Sequence, residues 1–320
     1  MDTDRLKKAQ ELFEVPEQFF NEANLMVKES EWELILAMGT DEIHEKELAV
    51  LVQDKKLAFS GPDFIRDCYH RAIINKVPHE DGMYYRINSF YGRYPYFAQY
   101  ERFDYAKIPS DVKKALNDWD FEVYFGIYGD DVRSKMQGID TNVHNSTFLT
   151  LQEAYDFIDK YPDSCVFQPC NCKAMMYDHD RPVDVCLMFG DGPNTEQDRG
   201  HGLKVTAEEA KRRLLEANKK GLMQNGEDFG ICNCDGECCY PLKMARACGS
   251  RGMYPTSNYE IVWHKDICIN CGRCISICNF EAFSRAEDES VNFDQDKCWG
   301  CTICSANCPK NAIELASKFL

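Results

Sequence analysis

Cys268, Cys271, Cys274 and Cys278 are spaced Cys-x-x-Cys-x-x-Cys-x-x-x-Cys, and Cys298, Cys301, Cys304 and Cys308 repeat that spacing with Pro309 behind the last. Three thiolates on so tight a loop reach one face of an iron-sulfur cubane, while the fourth cysteine of each run is carried away to the other cluster. The spacing therefore predicts two [4Fe-4S] clusters, one on Cys268, Cys271, Cys274 and Cys308, the other on Cys298, Cys301, Cys304 and Cys278. Zinc is the structural alternative, and two consecutive runs at this spacing argue against it. Ligands all of one type leave no open iron position for a substrate, so these clusters would shuttle electrons. Gly272 and Gly300 flank cysteines and allow the backbone to approach closely. Asp266 and Asp296, repeated in register, would lower the reduction potential by disfavouring an added electron.

A second constellation precedes the first: Cys170, Cys172, Cys186, Cys232, Cys234, Cys238 and Cys239. Seven thiols in one stretch exceed what buried free cysteines would explain. They point to a third [4Fe-4S] cluster, with structural zinc as the alternative. Cys172, Cys186, Cys232 and Cys238 are the first candidates as ligands, with Cys170, Cys234 and Cys239 as alternatives. His179 and Asp235 stand beside these thiols and could ligate iron, but read better as ordinary loop residues. Cys68, Cys165 and Cys248 stand alone and read as packing residues.

The elements that must position these groups fall into three segments: 1–105, 106–258 and 259–320. The fold class is α+β throughout. From Glu31 to Phe90, three short helices precede a hairpin. The first runs Glu31 to Met38 and stops at Gly39; the second is capped by Thr40 or Asp41; the third starts at Pro62. The alternation of Met83 to Phe90 after Asp81-Gly82 predicts a strand. Three helices plus a hairpin resemble a winged-helix domain, in which Arg66, His70, Arg71 and Lys76 would form a DNA-reading face. The aromatic run from Tyr84 to Tyr105 reads as core or interdomain packing. In the middle segment, helices are predicted over Leu151–Lys160 behind Thr150 and over Ala207–Lys220 behind Thr206 and Glu209. Gly190 to Gly202 lacks the spacing of a phosphate cradle and reads as a loop. This middle segment is otherwise too irregular to classify.

The last sixty or so residues resemble the bacterial two-cluster ferredoxins on the two cysteine runs just given. Asn279 departs from the proline that often follows the fourth cysteine. Most of the chain is similar to a family of anaerobe ferredoxin-like proteins with a winged-helix-like start. That family carries Cys-x-Cys-Arg, Pro-x-x-Val-Cys-Leu and Cys-Asn-Cys-Cys motifs, matched here by Cys170, Cys172 and Lys173, by Pro182 to Leu187, and by Cys232 to Cys239. Asp235 stands where the last block usually has another cysteine, and His179 and Asp180 lie where one often precedes Pro182. The resemblance implies electron transfer with extra clusters.

The net charge of −16, from 53 acidic and 37 basic residues, repels phosphate backbones and argues against nucleic acid as a partner. It suits a partner with a basic docking face. No apolar run is long enough for a membrane span. The charged opening stretch is no signal peptide, so clustered thiols in a reducing cytoplasm are better read as metal ligands than as disulfides. The leading expectation is an electron-transfer subunit of an anaerobic oxidoreductase complex, rather than a catalyst on its own. Two other readings compete: a redox enzyme whose central cluster has a non-cysteine ligand and binds substrate, and an iron-sulfur redox sensor acting through the winged helix.

Overall fold

The computed structural model describes residues 1–141, 143–144, 147–176, 179–227 and 230–318. They form two compact units. The first comprises residues 1–120, 174–179 and 191–202; the second comprises 121–173, 180–190 and 203–320. Helices and strands are mixed in both, as an α+β fold requires.

In the first unit, helices Glu29–Met38, Glu45–Asp54 and Gly61–His70 precede a hairpin of strands Ile74–His79 and Gly82–Ile87. Gly39 ends the first helix at φ +59°, a conformation glycine adopts without a Cβ penalty. The second helix starts later than Thr40 or Asp41 would allow. Residues Ile43–His44 pair with the hairpin as a short third strand, and the His44 ring accepts the Lys46 N–H as the cap. Ser60 caps the third helix, with Pro62 in its first turn. The hairpin strand ends at Ile87, short of Phe90, because Ser89 caps a new helix, Phe90–Tyr100. That helix turns the aromatic run inward: Phe90, Tyr94 and Phe97 are fully buried, while Phe103 beyond it is exposed. A buried ionic network ties the unit together. Arg71 pairs with Glu31 at 2.7 Å and with Glu101, Arg93 pairs with Glu101, and both arginines donate to the Met26 carbonyl.

The second unit corrects the expectation of irregularity. Its middle is a six-stranded antiparallel sheet in the order Thr147–Phe148, Met223–Glu227, Gly230–Cys234, Cys186–Met188, Val166–Gln168, Leu203–Lys204. Short strands of two to five residues, spread between glycines and long loops, give a weak alternation signal. Helices Leu151–Lys160 and Ala207–Lys219 form as predicted. Thr150 accepts the Glu153 N–H at 3.1 Å while the Glu153 carboxylate accepts the Thr150 N–H at 2.7 Å. Ala154, Ile158, Ala210 and Leu214 on these helices pack with Phe167, Leu187 and Ile231 of the sheet. Side chains alternate along a strand, so Cys186, Cys232 and Cys234 are left for the opposite face.

At the C-terminal end, strand Tyr259–Trp263 pairs with Ile313–Ser317, and Phe283–Arg285 with Val291–Phe293. The repeat in sequence is a repeat in backbone. Asn270 and Gly300, Gly272 and Thr302, and Glu281 and Asn311 are all left-handed, at matching places in the two halves. Among the described residues no helix is long and apolar enough to cross a membrane.

Candidate metal centre

The central thiols are gathered from four separate places in the chain. Cys170 precedes the short helix Asn171–Met175, which carries Cys172. Cys186 opens a strand whose next residue, Leu187, pairs with Ile231, so Cys186 lies across from Cys232. Cys232 and Cys234 share a face of the Gly230–Cys234 strand, and Cys239 stands at the N-terminus of helix Tyr240–Cys248. Their side chains form a run of hydrogen-bonded neighbours: Cys172 to Cys170, Cys170 to Cys186, Cys186 to Cys232, Cys232 to Cys234, and Cys234 to Cys239. All are buried except Cys232, which is partly so. Hydrogen bonds from neighbouring thiols hold Cys170 and Cys232 well below the ordinary thiol range, and push Cys172, Cys186 and Cys234 well above it.

Of the four cysteines first expected as ligands, Cys172, Cys186 and Cys232 stand in this run. Among the described residues Cys238 is not hydrogen-bonded within the run but lies near Cys170 and Lys173; burial and then the Asp235 carboxylate push its thiol to about 12. Cys170, Cys234 and Cys239 complete the run. Asp235 is fully buried and works as a turn former, its Oδ1 accepting the N–H groups of Glu237 at 2.8 Å and Cys238 at 2.7 Å. His179 belongs to the first unit and the seven thiols to the second. Cys68 and Cys165 are fully buried and Cys248 is partly buried.

Two further residues stand beside the thiols: Lys173, marked in sequence only as the position matching the arginine of the Cys-x-Cys-Arg motif, and His144, which gave no signal. Lys173 is 1% exposed, and its Nζ donates to the Asn233 carbonyl at 2.6 Å, 3.8 Å from the Cys170 sulfur and 3.6 Å from Asp235. Burial alone would lower its pKa, but the sulfurs of Cys170, Cys186 and Cys234 and the Asp235 carboxylate hold it well above the usual lysine value. Burial lowers the His144 imidazole below the ordinary histidine value, and its Nε2 meets the Tyr124 hydroxyl at 2.9 Å. A lone histidine in a loop, far in sequence from any cysteine, offers nothing to read.

The C-terminal cysteines are placed differently. Cys268, Cys271, Cys274 and Cys308 line one small cavity, although Cys308 is thirty-four residues beyond Cys274. The other four are neighbours of one another. Burial first, then the thiolates of Cys301, Cys298 and Cys278, raise Cys304 well above the ordinary range. Cys274 is pushed to about 11 by burial and then by Cys268 and Cys271. Each half thus meets the fourth cysteine of the other. Backbone N–H groups donate to sulfur at equivalent places: Ala282 to Cys278 at 3.3 Å and Ala312 to Cys308 at 3.2 Å. Asn279, the departure from proline, pins this region to the central one. It accepts the Gly236 N–H at 2.8 Å and donates to the Gly221 carbonyl at 2.9 Å, bonds a proline cannot make.

Among the described residues no three or more His, Cys, Asp or Glu side chains are gathered as ligands of a single metal ion. A cubane's four thiolates surround four irons and four sulfides, so they stand wider apart than the ligands of one ion.

A family model for the 4Fe-4S dicluster domain matches residues 262–315. An uncharacterized ferredoxin of Methanocaldococcus jannaschii is 35% identical over 57 residues, 17% of this chain and 74% of its own. Pyruvate synthase subunit PorD of Thermotoga maritima is 33% identical over 70 residues, 21% of this chain and 71% of its own. Through this region the chain belongs to the two-cluster [4Fe-4S] ferredoxins. The isethionate sulfite-lyase activating enzyme of Nitratidesulfovibrio vulgaris is also similar, 38% identical over 58 residues; the match spans 17% of this chain and only 19% of that enzyme. No solved structure matches.

The ferredoxin region thus carries two [4Fe-4S] clusters and serves electron transport. Its thiols fit them in placement: Cys268, Cys271, Cys274 and Cys308 line one cavity, and Cys278, Cys298, Cys301 and Cys304 are neighbours. The ferredoxin region also shares a core with the central site. Cys301 packs with Cys234, Cys239, Phe148, Met223, Leu242, Ile277 and Ile303.

Proposed function

We propose that the chain passes single electrons between redox partners as the iron-sulfur subunit of an anaerobic oxidoreductase complex in the cytoplasm. Cys268, Cys271, Cys274 and Cys308 hold one cluster of the ferredoxin region; Cys298, Cys301, Cys304 and Cys278 hold the other. The central thiols hold a third [4Fe-4S] cluster, its four ligands drawn from the run of Cys172, Cys170, Cys186, Cys232, Cys234 and Cys239, with zinc as the alternative occupant. Segments 259–320 and 106–258 then carry the electron, and segment 1–105 docks the protein to its enzyme.

One observation carries this reading: Cys301 of the ferredoxin region and Cys234 and Cys239 of the central run lie in a single apolar core. Groups bound at the two places are neighbours through packed protein, so one electron path can include both. The similarity to proteins named as pyruvate synthase subunits supports a place in an oxidoreductase complex.

Iron, sulfide and zinc analysis of anaerobically purified protein, read beside its paramagnetic resonance spectrum after reduction, tests the reading. About twelve irons per chain without zinc is the expected result, from three four-iron clusters. About eight irons with one zinc would overturn the third cluster and make the central thiols a structural site.

The sensor reading has one observation in its favour. Helix, strand, helix, helix and hairpin, with the early strand pairing to the second hairpin strand, follow each other as in a winged helix. Three of the four side chains that would read DNA are engaged elsewhere, while Arg66 is exposed and pairs with Asp63 of its own helix. Arg71 lies in the buried network, His70 Nδ1 meets the Arg199 carbonyl at 2.7 Å, and Lys76 pairs with Asp198 at 2.8 Å. A specific gel shift with genomic fragments at low salt would reverse this ranking.

A further inference from the structure

We infer that the buried Lys173–Asp235 pair is a fixed charge element that sets the reduction potential of the central site, with the two residues acting in opposite directions. The inference rests on the reading that the central thiols hold a cluster.

Lys173 and Asp235 are 1% and 0% exposed, so water screens neither of them from the thiols. An ammonium in such a place is retained only where negative charge offsets its lost hydration. Asp235 supplies part of that charge, but the separation of 3.6 Å is long for an ion pair, and among the described residues Asp235 Oδ2 has no hydrogen-bond partner. The other side of the ammonium is anchored at 2.6 Å to the carbonyl of Asn233, the residue between Cys232 and Cys234, with the Cys170 sulfur 3.8 Å away. Lys173 is thereby held against the backbone and sulfur of the central run. Asp235 is held on the far side by two backbone N–H groups, at 2.8 and 2.7 Å.

Four thiolates and a cubane core carry net negative charge, and reduction adds one more. A positive charge at this position favours the added electron; the carboxylate opposes it. Arginine would keep the positive charge on a broader planar fork, so charge rather than side-chain shape is what the position supplies. The pair therefore acts through charge on the central group and touches no substrate.

The test is a redox titration of the full-length protein, followed by electron paramagnetic resonance, in the wild type and in K173M, K173R, D235N and the double variant K173M/D235N. Methionine keeps the length and apolar stem of lysine, and asparagine keeps the oxygen that forms the turn. The central signal should become harder to reduce in K173M and easier in D235N. Each change should be at least tenfold in the reduction equilibrium, which is about 59 mV for one electron. K173R should lie near the wild type, the double variant between the two single ones, and the signals of the ferredoxin region should stay in place. A central signal that is present but unmoved in both single variants overturns the inference. Its loss from both, with the ferredoxin signals intact, also overturns it and makes the pair a structural brace. A wild type with about eight irons and no third signal instead removes the cluster reading itself.

Discussion

The two cysteine regions of the second unit solve the same problem by different means. In the ferredoxin region, ligand spacing is local: each half supplies three thiols from one loop, and left-handed residues at Asn270, Gly272, Gly300 and Thr302 give that loop its shape. In the central region no loop supplies more than two thiols of the run, and strand register brings Cys186 to Cys232. The surroundings differ as well. Cys271 is exposed at one end of the ferredoxin region, whereas the central run is enclosed with a lysine and an aspartate that are almost wholly buried. A site built from a local loop depends on its turns, and one built from a sheet depends on the fold around it.

The largest effects should come from removing a thiol that serves both as ligand and as core. Cys301→Ser should lose about four of the irons and lower the melting temperature, because Cys301 is buried in the core shared with Cys234 and Cys239. Cys271→Ser, on the exposed side, should lose the other cluster with a much smaller change in melting. Equal destabilisation by the two variants would erase the contrast drawn here. Iron content and thermal denaturation of both proteins decide it.

Next in size is the central run against a lone cysteine. Cys186→Ser should remove the central metal and leave the two signals of the ferredoxin region, while Cys248→Ser should change neither. Metal analysis of the two variants is the measurement. A Cys186→Ser protein with its full complement of metal would take Cys186 out of the site.

Asn279→Ala is expected to act on the join between the two regions. It gives up the bonds to Gly236 and Gly221, leaving a polar group on each side unpaired, at a cost of about 1–3 kcal/mol. Iron content should not change. Denaturant unfolding gives the energy, and an unchanged midpoint would show that the pin contributes nothing.

The smallest effect belongs to the unit without a thiol run. His201 stacks on Tyr100 and His70 with ring centroids 3.8 and 3.9 Å apart, and burial lowers its pKa to about 4. The unfolded chain takes up a proton near the ordinary histidine value of about 6.5, and the folded one does not until about 4. The histidine's contribution to stability is therefore full above about pH 6.5 and is lost as pH falls toward 4. His201→Phe, which keeps the stack, should flatten that dependence in melting curves taken across the range; an unaltered slope would assign the acid lability to other groups.

Much of this was legible beforehand where the determinants are close in sequence. The helix at Leu151–Lys160 was readable from Thr150, and the third helix of the first unit from Pro62. Other elements depended on distant partners. His44 replaced Thr40 and Asp41 as a cap because the strand it ends pairs with residues about forty positions away. The six-stranded sheet was missed because its strands are short and several are buried on both faces, which removes the alternation that marks a strand.

By itself, the sequence determined the spacing of the two ferredoxin runs, because a cubane's three-thiol face needs one loop and the whole loop is written in consecutive residues. It also determined the charge of −16 and the presence of seven further thiols. Only the tertiary structure decided which of those seven are neighbours, that Cys238 meets Asp235, and that Lys173 is sealed in beside Cys170. It likewise decided that Asn279 and Cys301 join the two regions. The physical reason is that register across a sheet and burial of a charge are set by residues far apart in the chain, so no local pattern records them.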